Sequence, residues 1–356
     1  MERRRAYSPH VKGAAALLAL LACVTASAGE AKRPPVALRV MTRNLYLGAN
    51  LDAIVQAKST REAFAAVEKG WGDVQANDFP TRARAIAKEI AVARPDFVGF
   101  QELSLYRTQT PADFTVTPAT TVVVDYAKEL RKALAARKLH YRFLAIGVAT
   151  DAELPAGDPP KLDVRLTIRD GLLVRIDKAI KIKRVRSGLY ATTTPLFGGF
   201  VTAKRGWVMA DATVSGRTFR VITTHLESFN DASQVAQGRE LVLAGGPATT
   251  SLPTVLLGDL NSRADGTGTP TRVNLLAQGF QDAWPQAHPG DIGLTCCHGD
   301  DLRDLGGPFY SRIDYVLMRN GFRAVAAGIV GEAPGDRISG LWPSDHAGVW
   351  ARLRLP

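Results

Sequence analysis

The chain has 356 residues, 46% of them apolar, and carries a formal charge of +11. That is enough apolar material for a substantial core in one large domain or two small ones. No repeat, low-complexity block or composition shift is visible, which excludes repeat architectures and favours one domain after the leader.

Taken in order, Arg3-Arg4-Arg5 and Lys12 precede the apolar Ala14 to Val24 and the small-x-small Ala26-Ser27-Ala28. This is the pattern of a secretory signal peptide over residues 1–28, too short to span a bilayer. Leu20-Leu21-Ala22-Cys23 also resembles a bacterial lipoprotein box, with Leu21 a poor fit. Cleavage before Cys23 with lipid attachment is therefore the alternative. The expected location is secreted or periplasmic. Residues 29–37 read as a short linker, and 38–356 as one domain. Residues 1–28 hold four basic and one acidic group, which leaves +8 on the rest. Such a balance suits polyanions and anionic surfaces.

Leu38 to Arg43 reads as the first strand, ending at Asn44. Ala83, Ile86, Ala87, Ile90 and Ala93 fall at helical spacing, and Pro95 stops that helix. Asp96 to Glu102 is a buried strand. A helix is predicted from about Val123 to Arg137, then a strand at Tyr141 to Val148. The proline- and acid-rich Asp151 to Asp163 reads as an exposed loop. Gly171 to Ile176 returns to strand, and Lys178 to Arg186 alternates basic and apolar residues. Trp207 to Val214 and Thr218 to Thr224 form a hairpin across Ser215-Gly216-Arg217. A helix follows near Asp231 to Leu243, then the apolar strand Thr254 to Asp259. Long loops at 262–271 and 285–311 precede Ile313 to Met318, and a last strand reaches Leu355. Hairpins mixed with strand–helix–strand units favour two mixed sheets packed face to face, with helices outside.

Polar residues stand where apolar strands run out: Asn44, Glu102, His225 with Glu227, Asp259 with Asn261, Asp314, and Asp345-His346. Oxygen donors dominate (Asn44, Glu102, Asp259, Asn261, Asp345), which suits Mg²⁺, with Mn²⁺ as the alternative. Zinc lacks support. No Cys-x-x-Cys or His-x-x-x-His pair exists, and Cys296-Cys297-His298 are consecutive. The adjacent cysteines also offer no disulfide framework. Neither a Gly-x-Ser-x-Gly elbow nor a phosphate-binding Gly-x-x-x-x-Gly-Lys loop is present. His225 and His346 suit acid–base work near neutral pH. In an extended Asp345-His346 the two side chains diverge, so Asp314 is the candidate partner for His346. A metal, an Asp–His pair that activates water and a second histidine make up a hydrolytic phosphoester site.

In order, Thr42-Arg43-Asn44-Leu45, Gln101-Glu102-Leu103, Lys204-Arg205-Gly206, Thr224-His225-Leu226, Gly258-Asp259-Leu260-Asn261, Arg312-Ile313-Asp314-Tyr315 and Ser344-Asp345-His346 resemble the motifs of the endonuclease/exonuclease/phosphatase superfamily. The resemblance covers residues 38 to 356. It implies an α/β fold, a four-layer sandwich of two packed mixed sheets flanked by helices, and Mg²⁺-dependent phosphoester hydrolysis. By it, Glu102 is the principal metal carboxylate, with Asn44 and Asp345 nearby. Asp259 and Asn261 orient the nucleophile and the phosphate, and Asn44 also lies among the phosphate contacts. His346 with Asp314 is the general base, and His225 stands near the phosphate and leaving group. Asp170 is the nearest match to the glutamate that orients that histidine in pancreatic deoxyribonuclease, one methylene shorter. Abasic endonucleases lack a histidine at the place of His225, which argues against the DNA-repair branch.

Secretion and positive charge favour nucleic acid as substrate, with Lys178, Lys181, Lys183, Arg184 and Arg186 tracking phosphates or simply forming a solvated face. Phospholipid headgroups are the second reading. They would want an apolar surface for membrane contact, hinted at by Leu189-Tyr190, by Phe197 to Phe200 and by Leu341-Trp342. A small phosphomonoester is third. An inactive binding module is last, because no motif position is lost. No stable protein partner is implied, and a monomer is expected.

Overall fold

The computed structural model describes residues 34–305 and 309–356, so the expected signal peptide and Cys23 lie outside the described residues. In chain order the elements are β1 (Val36–Asn44), α1 (Asp52–Val55), α2 (Thr60–Ala76), α3 (Phe79–Ala93), β2 (Phe97–Gln101), β3 (Leu105–Gln109), β4 (Thr121–Asp125), α4 (Tyr126–Ala136), β5 (Tyr141–Gly157), β6 (Pro160–Arg175), β7 (Lys181–Leu189), β8 (Thr194–Leu196), β9 (Val201–Ala203), β10 (Gly206–Val214), β11 (Arg217–His225), α5 (Asp231–Glu240), β12 (Thr254–Asp259), α6 (Thr271–Ala277), β13 (Gln281–Asp282), α7 (Ala283–Ala287), β14 (Asp314–Arg319), β15 (Arg323–Val330) and β16 (Gly348–Leu355). One sheet runs β15-β16-β1-β2-β6-β3-β4, with β5 paired to β6; the second runs β13-β14-β12-β11-β10-β7.

Strict alternation along the strands sorts the side chains into layers. Val40, Phe97 and Leu172 of the first sheet meet Val221, Val255, Leu257 and Val316 of the second in the central core. Their neighbours Met41, Val98 and Leu173 face outward onto α3 and α4, through Ile86, Ile90, Leu130 and Leu134. Ile222, Leu256 and Leu317 face outward on the other side, with Leu241 and Leu275. The result is the four-layer α/β sandwich, two mixed sheets between helices.

The sheets come very close near one end of their strands. A Cβ on Gly99 would stand 2.8 Å from Thr223 Cβ and 3.1 Å from Leu257 Cβ, so the first sheet needs glycine there. Beside it a buried polar bridge crosses the interface. Thr42 Oγ1 donates to Gln101 Oε1 at 3.0 Å, and Gln101 Nε2 donates to Thr223 Oγ1 at 2.9 Å.

Four sequence expectations need correction. Asp151 to Asp163 is not a loop but the tip of the long β5–β6 hairpin. Its acids hid the strand: Asp151 pairs with Arg165 and Arg107, and Asp163 accepts from the Asp113 amide at 2.8 Å. The helix expected from Val123 starts at Tyr126, where Asp125 caps it, because Thr121–Asp125 pairs with β3 instead. Residues left unassigned before Phe79 hold α2, whose two interior glycines and small apolar face (Ala63, Val67, Val74) disguise it. The first strand also begins at Val36, inside the expected linker.

Replacing Gly99 by alanine should lower stability by about 1–3 kcal/mol, the cost of overpacking a filled interface. Equilibrium urea unfolding reads this directly, and an unchanged midpoint would show that the sheets are free to separate.

Candidate active site

Because alternation fixes the layers, it also fixes where the strand-end residues point. Asn44 follows Val40 and Thr42, His225 follows Val221, Asp259 follows Val255 and Leu257, and Asp314 precedes Val316, each on the face between the sheets. The register brings them level: His225 opposite Asp259, Asp259 opposite Asp314, and Asn44 opposite Gln101. His346, just before β16, arrives at the same rim because β16 is antiparallel to β1.

Asn44 joins the two sheets. Its Nδ2 donates to Glu102 Oε1 and to Asp259 Oδ2, both at 3.1 Å, while its Oδ1 accepts from the Tyr46 amide at 2.9 Å. The amide nitrogen is thus a donor between two carboxylates, and the amide oxygen, with one of its two lone pairs on Tyr46, keeps the other for a ligand. Glu102 leaves β2 in a left-handed conformation (φ 58°), and its Oε2 accepts from the Leu47 amide at 2.6 Å. Ser344 Oγ donates to Asn44 O at 2.9 Å and reaches Asp345 Oδ1 at 3.2 Å, which ties the Ser344-Asp345-His346 loop to β1.

His346 Nδ1 lies 2.8 Å from Asp314 Oδ2, which also accepts from Thr295 Oγ1 at 2.7 Å. Its Nε2 faces Asp259 Oδ2 at 3.9 Å. Burial disfavours charge on His346, but Asp314, Asp345 and Asp259 outweigh it and hold the pKa well above the ordinary histidine value. Asp259 is pushed up to about 7 by burial and by Asp314. Glu102 and Asp345 are each raised as well. Burial is the main cause, and for Glu102 repulsion from Asp345 adds to it.

These shifts test whether the site suits a cation. The buried carboxylates of Asp259 and Asp314, with the half-buried ones of Glu102 and Asp345, outnumber the positive groups beside them, an imbalance that a divalent cation would relieve. The same charge would return His346 toward its base form. Glu102 and Asp345 offer hard oxygen ligands of the kind Mg²⁺ or Mn²⁺ takes. Asp259, Asp314 and His346 also stand close enough to hold an ion together. Their mutual hydrogen bond, however, already occupies Nδ1 of the imidazole and one carboxylate oxygen of Asp314, which leaves Nε2 free. Cys296, Cys297 and His346 form a similar group, but the two cysteines are bonded to each other and offer no thiolate.

The corner around His225 is rich in donors. Arg205 Nη1 lies 3.1 Å from Nδ1, and Asn261 Nδ2 lies 3.2 Å from Nε2 while donating to Leu226 O at 3.0 Å. Burial, then Arg205 and His346, hold the His225 pKa well below its ordinary value. A neutral ring has one lone pair and cannot accept from both neighbours, so an incoming anionic oxygen would find a spare donor. Asp170 does not take the expected place beside His225, because Arg205 occupies Nδ1. Asp170 is buried with Oδ1 unpartnered, and burial drives its pKa well above the carboxylate range.

Other positioning residues carry little signal in the sequence. Arg82 of α3 is fully buried and donates to Leu45 O (2.7 Å), Asn77 O (2.9 Å) and Pro343 O (3.0 Å), clamping the loop after β1 to the loop before His346. Arg43 pairs with Glu89 through two 2.9 Å bonds and also holds His346 O. Thr295 anchors both Asp314 and, through its carbonyl, the Ala347 amide at 2.7 Å. A lone arginine in an amphipathic helix is usually solvated, so only the fold reveals Arg82. Thr295 sits in a stretch that reads simply as loop.

No curated protein matches this chain in sequence. Solved structures do match in fold. An endonuclease/exonuclease/phosphatase family protein from Bacteroides thetaiotaomicron is 16% identical with a TM-score of 0.59, covering 91% of this chain and 97% of its own. TDP2 from D. rerio, complexed with a single-strand DNA product, is 18% identical with a TM-score of 0.54, covering 89% and 98%. A mannosyl-6-phosphatase from Bacteroides thetaiotaomicron is 16% identical with a TM-score of 0.55, covering 89% and 99%. The model of one family matches residues 67–346, from α2 to the histidine that closes the site, and on that match this chain belongs to the Endonuclease/Exonuclease/phosphatase family.

Proposed function

We propose that this protein is an exported, divalent-metal-dependent phosphodiesterase acting on phosphodiesters of phospholipid type. One observation carries the catalytic part: a continuous polar chain across both sheets, from Asp314 and His346 past Asp259 to Asn44 and Glu102. In this reading Glu102 and Asp345 hold the cation, which when bound neutralises phosphate charge as a Lewis acid. Asp314 orients His346 through Nδ1, so that Nε2 takes the proton of the attacking water. Asp259 accepts a hydrogen bond from that water, and Asn44 keeps its carboxylate aligned. His225, Asn261 and Arg205 present donors to the phosphate oxygens, where negative charge builds up in the transition state.

The substrate preference comes from the cleft and from the register of β7. The cleft, of about 440 Å³, is walled by Tyr46, Leu51, Phe229 and Tyr310 together with Asp52, Asp300 and Asp345. Arg205 is the one cationic side chain lining it, and no lysine reaches it, among the described residues. Flanking phosphates of a nucleic acid would need more cations than that. The basic strand supplies at most Arg186, ~10 Å from the rim at strand rise with its guanidinium over the Trp207 ring. Leu189 pairs with Gly206 at the catalytic rim, so Lys181, opposite Thr213, lies at the far end, ~26 Å away at strand rise. Lys178 is already bonded to Asp96 at 2.6 Å. Nucleic acid remains the second reading, favoured by the overall charge of +11.

Turnover of bis(p-nitrophenyl) phosphate should require Mg²⁺ or Mn²⁺ and stop with EDTA, and sphingomyelin or phosphatidylcholine dispersions should be cleaved faster than plasmid DNA. His346→Ala and Asp259→Ala should each fold and lose on the order of 10³-fold or more in kcat. Near-normal turnover by either variant would remove the mechanism, and faster cleavage of DNA would reverse the substrate preference. Export rests on residues 1–28. Mass spectrometry of the mature protein should find an N-terminus after Ala28, and a chain starting at Met1 would contradict it.

A further inference from the structure

Beside the catalytic cleft lies a second space of different character, a chamber of about 110 Å³ between α2 and the β5–β6 hairpin. Val67, Val74, Leu154, Val164 and Leu166 give it an apolar wall. Two of its polar residues are engaged elsewhere. Tyr106 Oη donates to Leu47 O at 3.1 Å, and Thr150 Oγ1 donates to Lys204 O at 2.9 Å. A water inside would find few of the partners that ordered water needs, whereas an apolar cavity of ~150 Å³ takes up a benzene ring.

The chamber and the cleft share a wall made of Ala49, Leu51, Ile168, Arg205 and Phe229. Arg205 stands at this junction with its Nη atoms on His225, Glu227 and Ser228. Its Nε is buried without a hydrogen-bond partner. On the outer side, Phe197 lines the chamber and also an adjoining groove with Phe114 and Phe200, which are 59% and 90% exposed. Exposed aromatic rings of this kind suit contact with a lipid–water interface.

From this adjacency we propose that the chamber, entered from the cleft past Arg205 and Phe229, is the binding site for the first carbons of an aliphatic chain belonging to an amphiphilic phosphodiester. The phosphorus of that substrate lies beside His346 and Asp259. Arg205 Nε donates to an oxygen at the head of the chain, and the exposed phenylalanines meet the surface from which the lipid is drawn. The inference rests on the phosphodiesterase reading and adds to it a specificity site.

Gly70 provides the test. A Cβ there meets Ala49 Cβ at 3.7 Å and Ile54 Cδ1 at 3.8 Å, ordinary contacts with two residues of the chamber wall, and leucine is a better helix former than glycine. Gly70→Leu therefore places a branched side chain on the chamber wall, starting from a Cβ that the present packing accommodates. An unchanged far-UV circular dichroism spectrum and melting midpoint confirm that α2 is intact. With p-nitrophenyl esters of ethyl, butyl, hexyl and octyl phosphate, wild-type kcat/KM should rise roughly threefold per methylene, a little under the full transfer value. Gly70→Leu should lose that rise while cleaving the ethyl ester within about twofold of wild type. A flat wild-type series, or an unchanged slope in the variant, would overturn the chamber and leave the phosphodiesterase reading standing. Absence of turnover on every ester would instead sink the phosphodiesterase reading. Calorimetry with octyl and ethyl phosphate then decides the chamber: tighter octyl binding lost in Gly70→Leu supports it, and equal binding overturns it.

Discussion

The close approach of the two sheets at Gly99 and Thr223 is the constraint on which the site depends. Hydrogen bonds between strands set the register within each sheet, but nothing in a single sheet can bring Asn44 within 3.1 Å of Asp259. That distance exists because a glycine removes one carbon from the interface and because Thr42, Gln101 and Thr223 replace apolar packing there by a satisfied polar bridge. A wider gap would leave two half-sites. The apolar contacts of Val40, Phe97, Val221 and Val255 further inside drive the sheets together, and the small and polar residues at the rim decide how far they go.

Bringing these groups together is costly. Glu102, Asp259 and Asp345 are wholly or partly buried with raised pKa values, so the folded protein holds carboxylates whose charge its own groups do not fully balance. The surroundings restrain them instead. Arg82 bonds backbone carbonyls on both flanking loops, and Arg43 with Glu89 fixes the carbonyl of His346 from the α3 side. Such clamps keep the side chains poised against their repulsion, in the manner of a site that sacrifices stability for a bound ion.

Much of this was legible in the sequence, and the reason is local. An apolar strand that ends in Asp, Asn or His announces a sheet rim, and alternation tells which face the polar residue takes, as for Asp259 after Val255 and Leu257. What stayed hidden is nonlocal or disguised. The orientation of the Asn44 amide depends on Tyr46, Glu102 and Asp259 together. Asp170 was expected beside His225, but Arg205, known only as part of a motif, took that place. The hairpin at Asp151 to Asp163 looked like a loop because its ion pairs with Arg107 and Arg165 need a partner strand to be recognised. Positive charge pointed to nucleic acid, while the register of β7 carries most of that strand's charge away from the cleft. The apolar chamber is assembled from separate segments, none of which stands out alone.

The central claim is that residues from the whole length of the chain converge on one divalent cation held by Glu102 and Asp345. Crystals soaked in Mn²⁺ and measured at the manganese edge test it most directly. The account predicts a single anomalous peak within coordination distance of the Glu102 and Asp345 carboxylates, with the His346–Asp314 pair intact beside it. A peak enclosed by Asp259, Asp314 and His346, with Glu102 bare, would contradict it.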